Sequence, residues 1–441
     1  MNIIPQILFF LLSFSGVFLF SKRLLGIRRN IMLGQPEHLS DQPLQRWKNL
    51  FLLALGQQKM FRNPIVAILH LLIYVGFIVV NIEMIEILID GLFGTHRILY
   101  SVIPEFYPLL INTFEFLAVA VIVVCIVFLA RRNILLISRL KSSDLSGWPS
   151  TDANIILAAE IILMMLFIMM NASDTLLQIK GSEHYSSSPT GNFLFSALLH
   201  PMLSSCNMET LVVIERISWW GHIIGVFAFL NYLPWSKHLH IILAFPNAYY
   251  KRLVPQGKIP NMPNVQQEVL YAFVPELANN QHDGQSPRTF GAKDVHDLSW
   301  KNILDAYSCT ECGRCSTACP ASQTGKLLSP RKIMMRTRDR AEEIGRTIDK
   351  NGKFEEDGRS LLYDFISEEE LRACTTCNAC VEECPVSINP VDIIVQLRRY
   401  LVMEKSAAPG EWTMMFGNIE NNFAPWKFSP DQRINWINEQ Q

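Results

Sequence analysis

Charge is what this sequence has little of. Of its 441 residues only 18% are Asp, Glu, Lys or Arg and 49% are hydrophobic, where a soluble chain would carry charge on roughly a quarter. The shortfall sits in the first 245 residues, and the rest reads as a polar, Pro-containing soluble domain. No Lys/Arg-rich run occurs and the net charge is −1, which leaves no footing for nucleic acid as a partner. No Cys-x-x-Cys is followed by His, which excludes c-type haem attachment. A glycine-rich dinucleotide fingerprint and a phosphate loop are also missing, so flavin or nicotinamide chemistry should reside elsewhere. The apolar N-terminus has no basic stretch before it. Lys22, Arg23, Arg28 and Arg29 follow it instead, so it does not read as a signal peptide.

Long apolar runs are what the first half does contain. A hydrocarbon core takes roughly 20 apolar residues as a helix, and five segments qualify: about 4–20, 64–89, 110–130, 154–178 and 209–234. Basic residues crowd the connections after the first, third and fifth, while the two alternate connections hold only Arg97 and Lys180. Positive-inside bias therefore places the N-terminus outside and residues 235–441 in the cytoplasm. Pro64 suits the first turn of the second span. Leu44–Leu55 (LQRWKNLFLLAL) is amphipathic and too short to span, as an interfacial helix would be.

Eight of the ten cysteines form a duplicated motif. Cys309, Cys312, Cys315 and Cys319, followed by Pro320, have the spacing C-x2-C-x2-C-x3-C-P; Cys374, Cys377, Cys380, Cys384 and Pro385 repeat it. Three closely spaced thiolates wrap one [4Fe–4S] cubane and the fourth is lent to its neighbour. One cluster is thus expected on Cys309, Cys312, Cys315 and Cys384, the other on Cys374, Cys377, Cys380 and Cys319. Zinc is the bland alternative, but zinc sites present separated C-x2-C pairs. Such thiols need a reducing compartment, which independently agrees with a cytoplasmic placement. Cys125 and Cys206 lie in or beside apolar segments and read as inert.

The 54-residue insert Pro320–Ala373 reads as helical (RKIMMRTRDRAEEIGR, then SLLYDFISEEELRA), as does PVDIIVQLRRYLVMEK after the second run. The fold class expected is all-α: a five-helix transmembrane bundle followed by an α-helical dicluster ferredoxin domain. The boundaries are 1–245 for the bundle, 246–300 for an extended linker (PQGKIPNMPN, HDGQSPRTFGAK), 301–405 for the cluster domain and 406–441 for a docking tail. That tail is expected to pack on the cluster domain.

Ionisable groups inside spans are functional suspects. His70 on the second span and His222 on the fifth suit the axial ligands of a b-type haem in a bundle. His240 follows His222 by 18 residues, five full turns, which would put both on one face of a continuous helix and His238 away from it. Pro234 intervenes. One haem b is expected and a second stays open, because Met60 stands ten residues before His70 where another His would be needed. His96, His184 and His200 read as surface residues of outside connections. Glu115 and Glu160 could take up a quinone proton or be structural.

Residues 300–405 resemble the α-helical ferredoxin modules of succinate dehydrogenase iron–sulfur subunits and heterodisulfide reductase. The bundle, with His on its second and fifth helices and the His222/His240 spacing, resembles the gamma subunit of respiratory nitrate reductase. Through GQQKMFRNP and LPWSKHLH the whole is similar to the electron-transfer-flavoprotein:menaquinone oxidoreductase and heterodisulfide-reductase-like family. That resemblance implies an oxidoreductase subunit in the bacterial cytoplasmic (inner) membrane. It implies two [4Fe–4S] clusters and haem b passing electrons between a cytoplasmic partner and menaquinone. Members carry CCG domains, and no cysteine follows Cys384 here, so the resemblance implies a CCG-domain iron–sulfur subunit and electron-transfer flavoprotein as partners. A sulfur-metabolism quinol-linked reductase and a non-catalytic Fe–S sensor are the alternatives. A transporter is disfavoured, since broken helices and paired intramembrane charges are not evident.

Overall fold

The computed structural model describes residues 3–280 and 289–438. The fold is all-α: among the described residues only two isolated bridges, Gln35–Ser299 and Leu362–Ile366, stand in for strands. Five helices among the described residues are long and apolar enough to cross a membrane. They are α1 (Ile4–Ile31), α2 (Pro64–Phe93), α3 (Tyr107–Asn133), α4 (Trp148–Ile179) and α5 (Met208–Tyr232). Proline occupies the first turn of α1, α2, α3 and α4, where its missing N–H goes unmissed. Asn63 and Asn207 cap α2 and α5 through their side chains. Outward-facing side chains along the spans, such as Phe10, Phe14, Phe18 and Phe77, are exposed and apolar. A lipid phase, unlike water, would accept them without cost.

Close backbone approach sets the helix pairs. A Cβ on Gly225 of α5 would stand 2.6 Å from Leu163 Cδ2 of α4, so any larger residue there would make the Leu163 side chain give way. α2 packs instead on α3 and α1. At the end of the bundle far from the cysteine runs, Arg97 is buried and holds three elements together. It donates to Asp174 (2.6 Å) and Asn171 (3.0 Å) on α4 and to the Tyr107 hydroxyl (3.1 Å) on α3. Tyr107 in turn donates to Glu86 of α2 at 3.0 Å. His96 belongs to this network, 3.7 Å from Asp174, and is not the surface residue expected. Glu115 is also structural, accepting the backbone N–H groups of Phe195 and Ser196 at 2.9 and 2.7 Å.

Beyond the spans follow α6 (His240–Tyr249), α7 (Trp300–Tyr307), α8 (Arg314–Ala318), α9 (Pro330–Asn351), α10 (Ala379–Glu383), α11 (Pro390–Arg399) and α12 (Gly410–Asn422). The connector 246–300 is not wholly extended, since Pro263–Phe273 is helical. Its HDGQSP stretch (282–287) and the last residues of the tail fall largely outside the described residues. SLLYDFI does not form the expected helix. Leu362 and Tyr363 have non-helical backbone angles, and only Glu368–Arg372 coils, behind a Ser367–Glu370 capping box. Leu361 and Leu362 are both buried there. Two consecutive apolar side chains reach the core best from an irregular turn, and that overrode propensity. The tail meets the module where the Arg372 guanidinium lies 5.2 Å over the Trp412 ring.

At about 1.5 Å per residue α1 runs ~42 Å, further than a ~30 Å hydrocarbon core. Its surplus end enters the helical module. Ile27 and Ile31 are buried in the same core as Ile303, Ile333, Ile344 and Ile393. Asn30 donates to the Tyr307 hydroxyl at 3.1 Å, and Arg29 to the Gly345 carbonyl at 2.9 Å. A Cβ at Gly345 would collide with the Asn30 amide. Further ties come from Arg331, which reaches Asp144 and the Arg139 carbonyl in the connection between α3 and α4. Lys59, just ahead of α2, donates to the Glu382 carbonyl at 3.1 Å.

Candidate functional site

The two cysteine runs adopt the same shape. In the first, Glu311 (φ 55°) and Gly313 (φ 78°) are left-handed; in the second, Thr376 (φ 54°) and Asn378 (φ 59°) occupy the same places. Each loop then enters a five-residue helix, α8 or α10, which ends on an extended cysteine. Cys319 has φ −78°, ψ 121° and Cys384 has φ −73°, ψ 118°. Left-handed residues curl the backbone so that N–H groups turn inward, a cradle for negative charge. Thr376 N–H donates to Cys374 Sγ at 3.4 Å and Ile388 N–H to Cys384 Sγ at 3.3 Å.

α8 packs against α10, which brings the fourth cysteine of each run to the other. Burial, then the neighbouring thiols Cys309, Cys312 and Cys384, pushes the Cys315 thiol far up. Burial pushes Cys380 up to about 12, with Cys374, Cys319 and Cys377 adding to it. Cys384 likewise reaches about 12 through burial and Cys312. Thiols so placed hold their protons unless a bound cation replaces them. This donor set fits a pair of iron–sulfur clusters: eight thiols in two mutually adjacent groups, each with backbone N–H donors to sulfur. No three His, Cys, Asp or Glu side chains among the described residues converge to hold a single metal ion; a cubane needs only one thiolate per iron. Cys377 is exposed, whereas Cys309, Cys319 and Cys380 are buried.

A cavity of about 480 Å³ lies between α2 and the α4–α5 pair and reaches to the first cysteine run. His70, His222, His238 and His240 all line it, and so does Cys312. Three of these rings are fixed the same way. His222 Nδ1 donates to the Leu163 carbonyl (2.9 Å), His240 Nδ1 to the Lys237 carbonyl (3.0 Å), and His70 Nδ1 meets Gln57 Oε1 (3.0 Å). A ring anchored through Nδ1–H keeps Nε2 as its lone-pair nitrogen, the tautomer a metal ligand needs. Arg131, Arg132, Arg139, Arg314 and Lys237 stand at the mouth near the cysteines, where they suit acid groups. Apolar walls, preset imidazoles and a basic rim fit a haem with two propionates.

The histidines do not sit as a continuous helix would place them. α5 stops at Tyr232, tight turns cover Leu233–Trp235 and Lys237–Leu239, and His240 opens a new helix. Pro234 cannot donate into the helix, so the five-turn register between His222 and His240 is lost. His238 therefore joins His240, their rings 5.5 Å apart, and sequence reasoning missed it. Burial, then the adjacent His240 and His70, pushes the His238 imidazole down to about 3. His222 stands deeper, its ring 6.2 Å from Phe167.

Fold and site together define a membrane protein with an iron–sulfur module. The 4Fe-4S dicluster domain family matches residues 305–388. The chain is similar to the probable iron-sulfur-binding oxidoreductase FadF of Bacillus subtilis, with 27% identity over 98% of this chain and 61% of that protein. It is also similar to the EtfAB:quinone oxidoreductase of Syntrophomonas wolfei, with 27% identity over 91% of this chain and 55% of that one. A shorter match is to one subunit of the dihydromethanophenazine:CoB–CoM heterodisulfide reductase of Methanosarcina mazei, 29% identical over 33% of this chain and 36% of its own length. The chain thus spans little more than half the length of the curated relatives that it matches end to end. No solved structure matches it.

Proposed function

We propose that this chain is the membrane subunit of a quinone oxidoreductase, carrying electrons between a cytoplasmic redox partner and menaquinone. The observation that carries the reading is the shared cavity: Cys312 of the first run and His70, His222 and His240 line one space that runs into the membrane-spanning bundle. Cys309, Cys312, Cys315 and Cys384 would hold one [4Fe–4S] cluster, and Cys374, Cys377, Cys380 and Cys319 the other. His222 and His70 would ligate haem b, with His240 the candidate for a second. When bound, these groups supply one-electron chemistry. The chain's part is to set their order. Exposed Cys377 puts the second run at the solvent side, and Cys312 puts the first against the bundle.

In this reading residues 1–245 form the transmembrane domain, 246–300 a linker, 301–405 the cluster domain and 406–441 a docking tail. The membrane is the bacterial cytoplasmic one, with the N-terminus outside and the cluster domain in the cytoplasm. The partners are a CCG-domain iron–sulfur subunit and electron-transfer flavoprotein. The named quinone oxidoreductase relative supports the reading across nine-tenths of the chain. A heterodisulfide-type reductase component fed from quinol is the second reading, favoured only by the similarity over a third of the chain.

The test is a reduced-minus-oxidised visible spectrum with iron and haem quantified on the same purified protein. About eight non-haem irons and a b-type α-band are expected. Clusters without haem would sink the relay and favour a redox sensor.

A further inference from the structure

We infer that the membrane-level part of the cavity is the quinone headgroup site, with Glu160 as proton donor and Tyr74 as hydrogen-bond donor; this rests on the function proposed above. The slot exists because α2 packs on α1 and α3 while α4 pairs with α5. Its walls at this level are apolar, with Ile73, Phe77, Val121 and Leu157 among them. Two polar groups interrupt them without partners among the described residues. The Tyr74 hydroxyl is buried and has no hydrogen-bond partner there. Glu160 is half-buried in the wall of the slot, and among those residues no hydrogen bond or ion pair engages its carboxyl. Leaving either group unmatched costs free energy that a ligand with carbonyl oxygens would return.

The two groups also lie at one depth. Tyr74 is ten residues from Pro64, Glu160 twelve from Trp148 and His222 ten from Tyr232. All three helix ends are the ones tied to the cluster module through Lys59, Asp144 and Lys237. At about 1.5 Å per residue, the three side chains stand ~15, ~18 and ~15 Å from that end. Glu160 is one turn before Leu163, whose carbonyl holds His222. Phe77 lines the slot yet is 45% exposed, so the slot opens sideways toward lipid and could admit a polyprenyl tail.

The chemistry balances for a para-quinone. Reduction to the quinol takes two electrons, delivered singly by the relay, and two protons. The Glu160 O–H bond breaks as one quinol O–H bond forms, and the carboxylate regains its proton from water. Water supplies the proton for the second oxygen. Tyr74 donates a hydrogen bond and keeps its proton.

The experiment uses the full protein with its clusters and haem, variants E160Q and Y74F, and two readouts. One is binding of 2-heptyl-4-hydroxyquinoline N-oxide by fluorescence quenching. The other is reoxidation of the pre-reduced protein by menadione in stopped flow. E160Q should bind the analogue within threefold of the native protein but reoxidise roughly 10²-fold or more slowly, the range expected on losing a general acid. Y74F should weaken analogue binding about tenfold. Haem and iron contents should be native in both. Native binding and reoxidation in both variants would overturn the site, and so would loss of haem from E160Q, which would make Glu160 a structural group. A native protein that menadione cannot reoxidise would instead refute the parent reading.

Discussion

At the scale of single residues, similar side chains have different standing because of what surrounds them. Cys377 is exposed and Cys309 is buried. Both Cys377→Ser and Cys309→Ser should cost one cluster, about four irons, by iron quantification and EPR. Cys309→Ser should also lower the melting temperature, because a buried hydroxyl replaces a thiol that behaves as a small hydrophobe. His222→Ala should abolish the haem α-band while leaving the cluster iron in place; full haem content would refute the ligand assignment. The duplicated cysteine pattern was legible in the sequence because cubane chemistry asks for a fixed spacing along the chain. Tyr74 was not, since nothing in a run of apolar residues says which hydroxyl will lack a partner. His238 was misread because its placement depends on a helix break, and the register arithmetic assumed a continuous helix past Pro234.

Elements are positioned by a few tight contacts. Gly225 lets α5 lie against Leu163 of α4, the residue whose carbonyl orients His222. Gly225→Val should displace the Leu163 side chain and lower haem content by disturbing the turn that orients His222; a haem titration that saturates normally would show that Leu163 swings aside freely. Arg97→Ala should leave Asp174 and Glu86 buried without their cation. A cost of roughly 3–5 kcal/mol is expected for breaking a buried pair, and thermal unfolding in detergent would measure it. The five spans were readable because a hydrocarbon slab asks for length and apolarity, both visible in one dimension. Their true ends were not, since α1 continues through polar Arg28–Asn30 on the strength of contacts made by the distant α9 and Tyr307. SLLYDFI failed for the same reason: its conformation answers to the core it enters.

On the scale of the whole molecule, the cluster module takes the end of α1 into its own hydrophobic core and holds the bundle through several buried ties. Arg331 is nearly wholly buried while it holds Asp144 and the Arg139 carbonyl. Arg331→Ala should therefore loosen the module near the first run. Electron transfer from clusters to haem, followed by stopped flow, should slow while cluster and haem contents stay native. An unchanged rate would mean that α1 alone keeps the two parts in register.

The overlong first helix has a consequence of its own. A carrier that diffuses to its acceptor can be tuned by concentration, ionic strength or affinity. Here α1 runs on from the bundle and ends inside the core of the cluster module, so the gap that electrons would cross in the proposed relay is a built dimension. In the proposed relay, whatever regulates throughput would act before the first thiolate or after the quinol departs, because the stretch between them has no clutch.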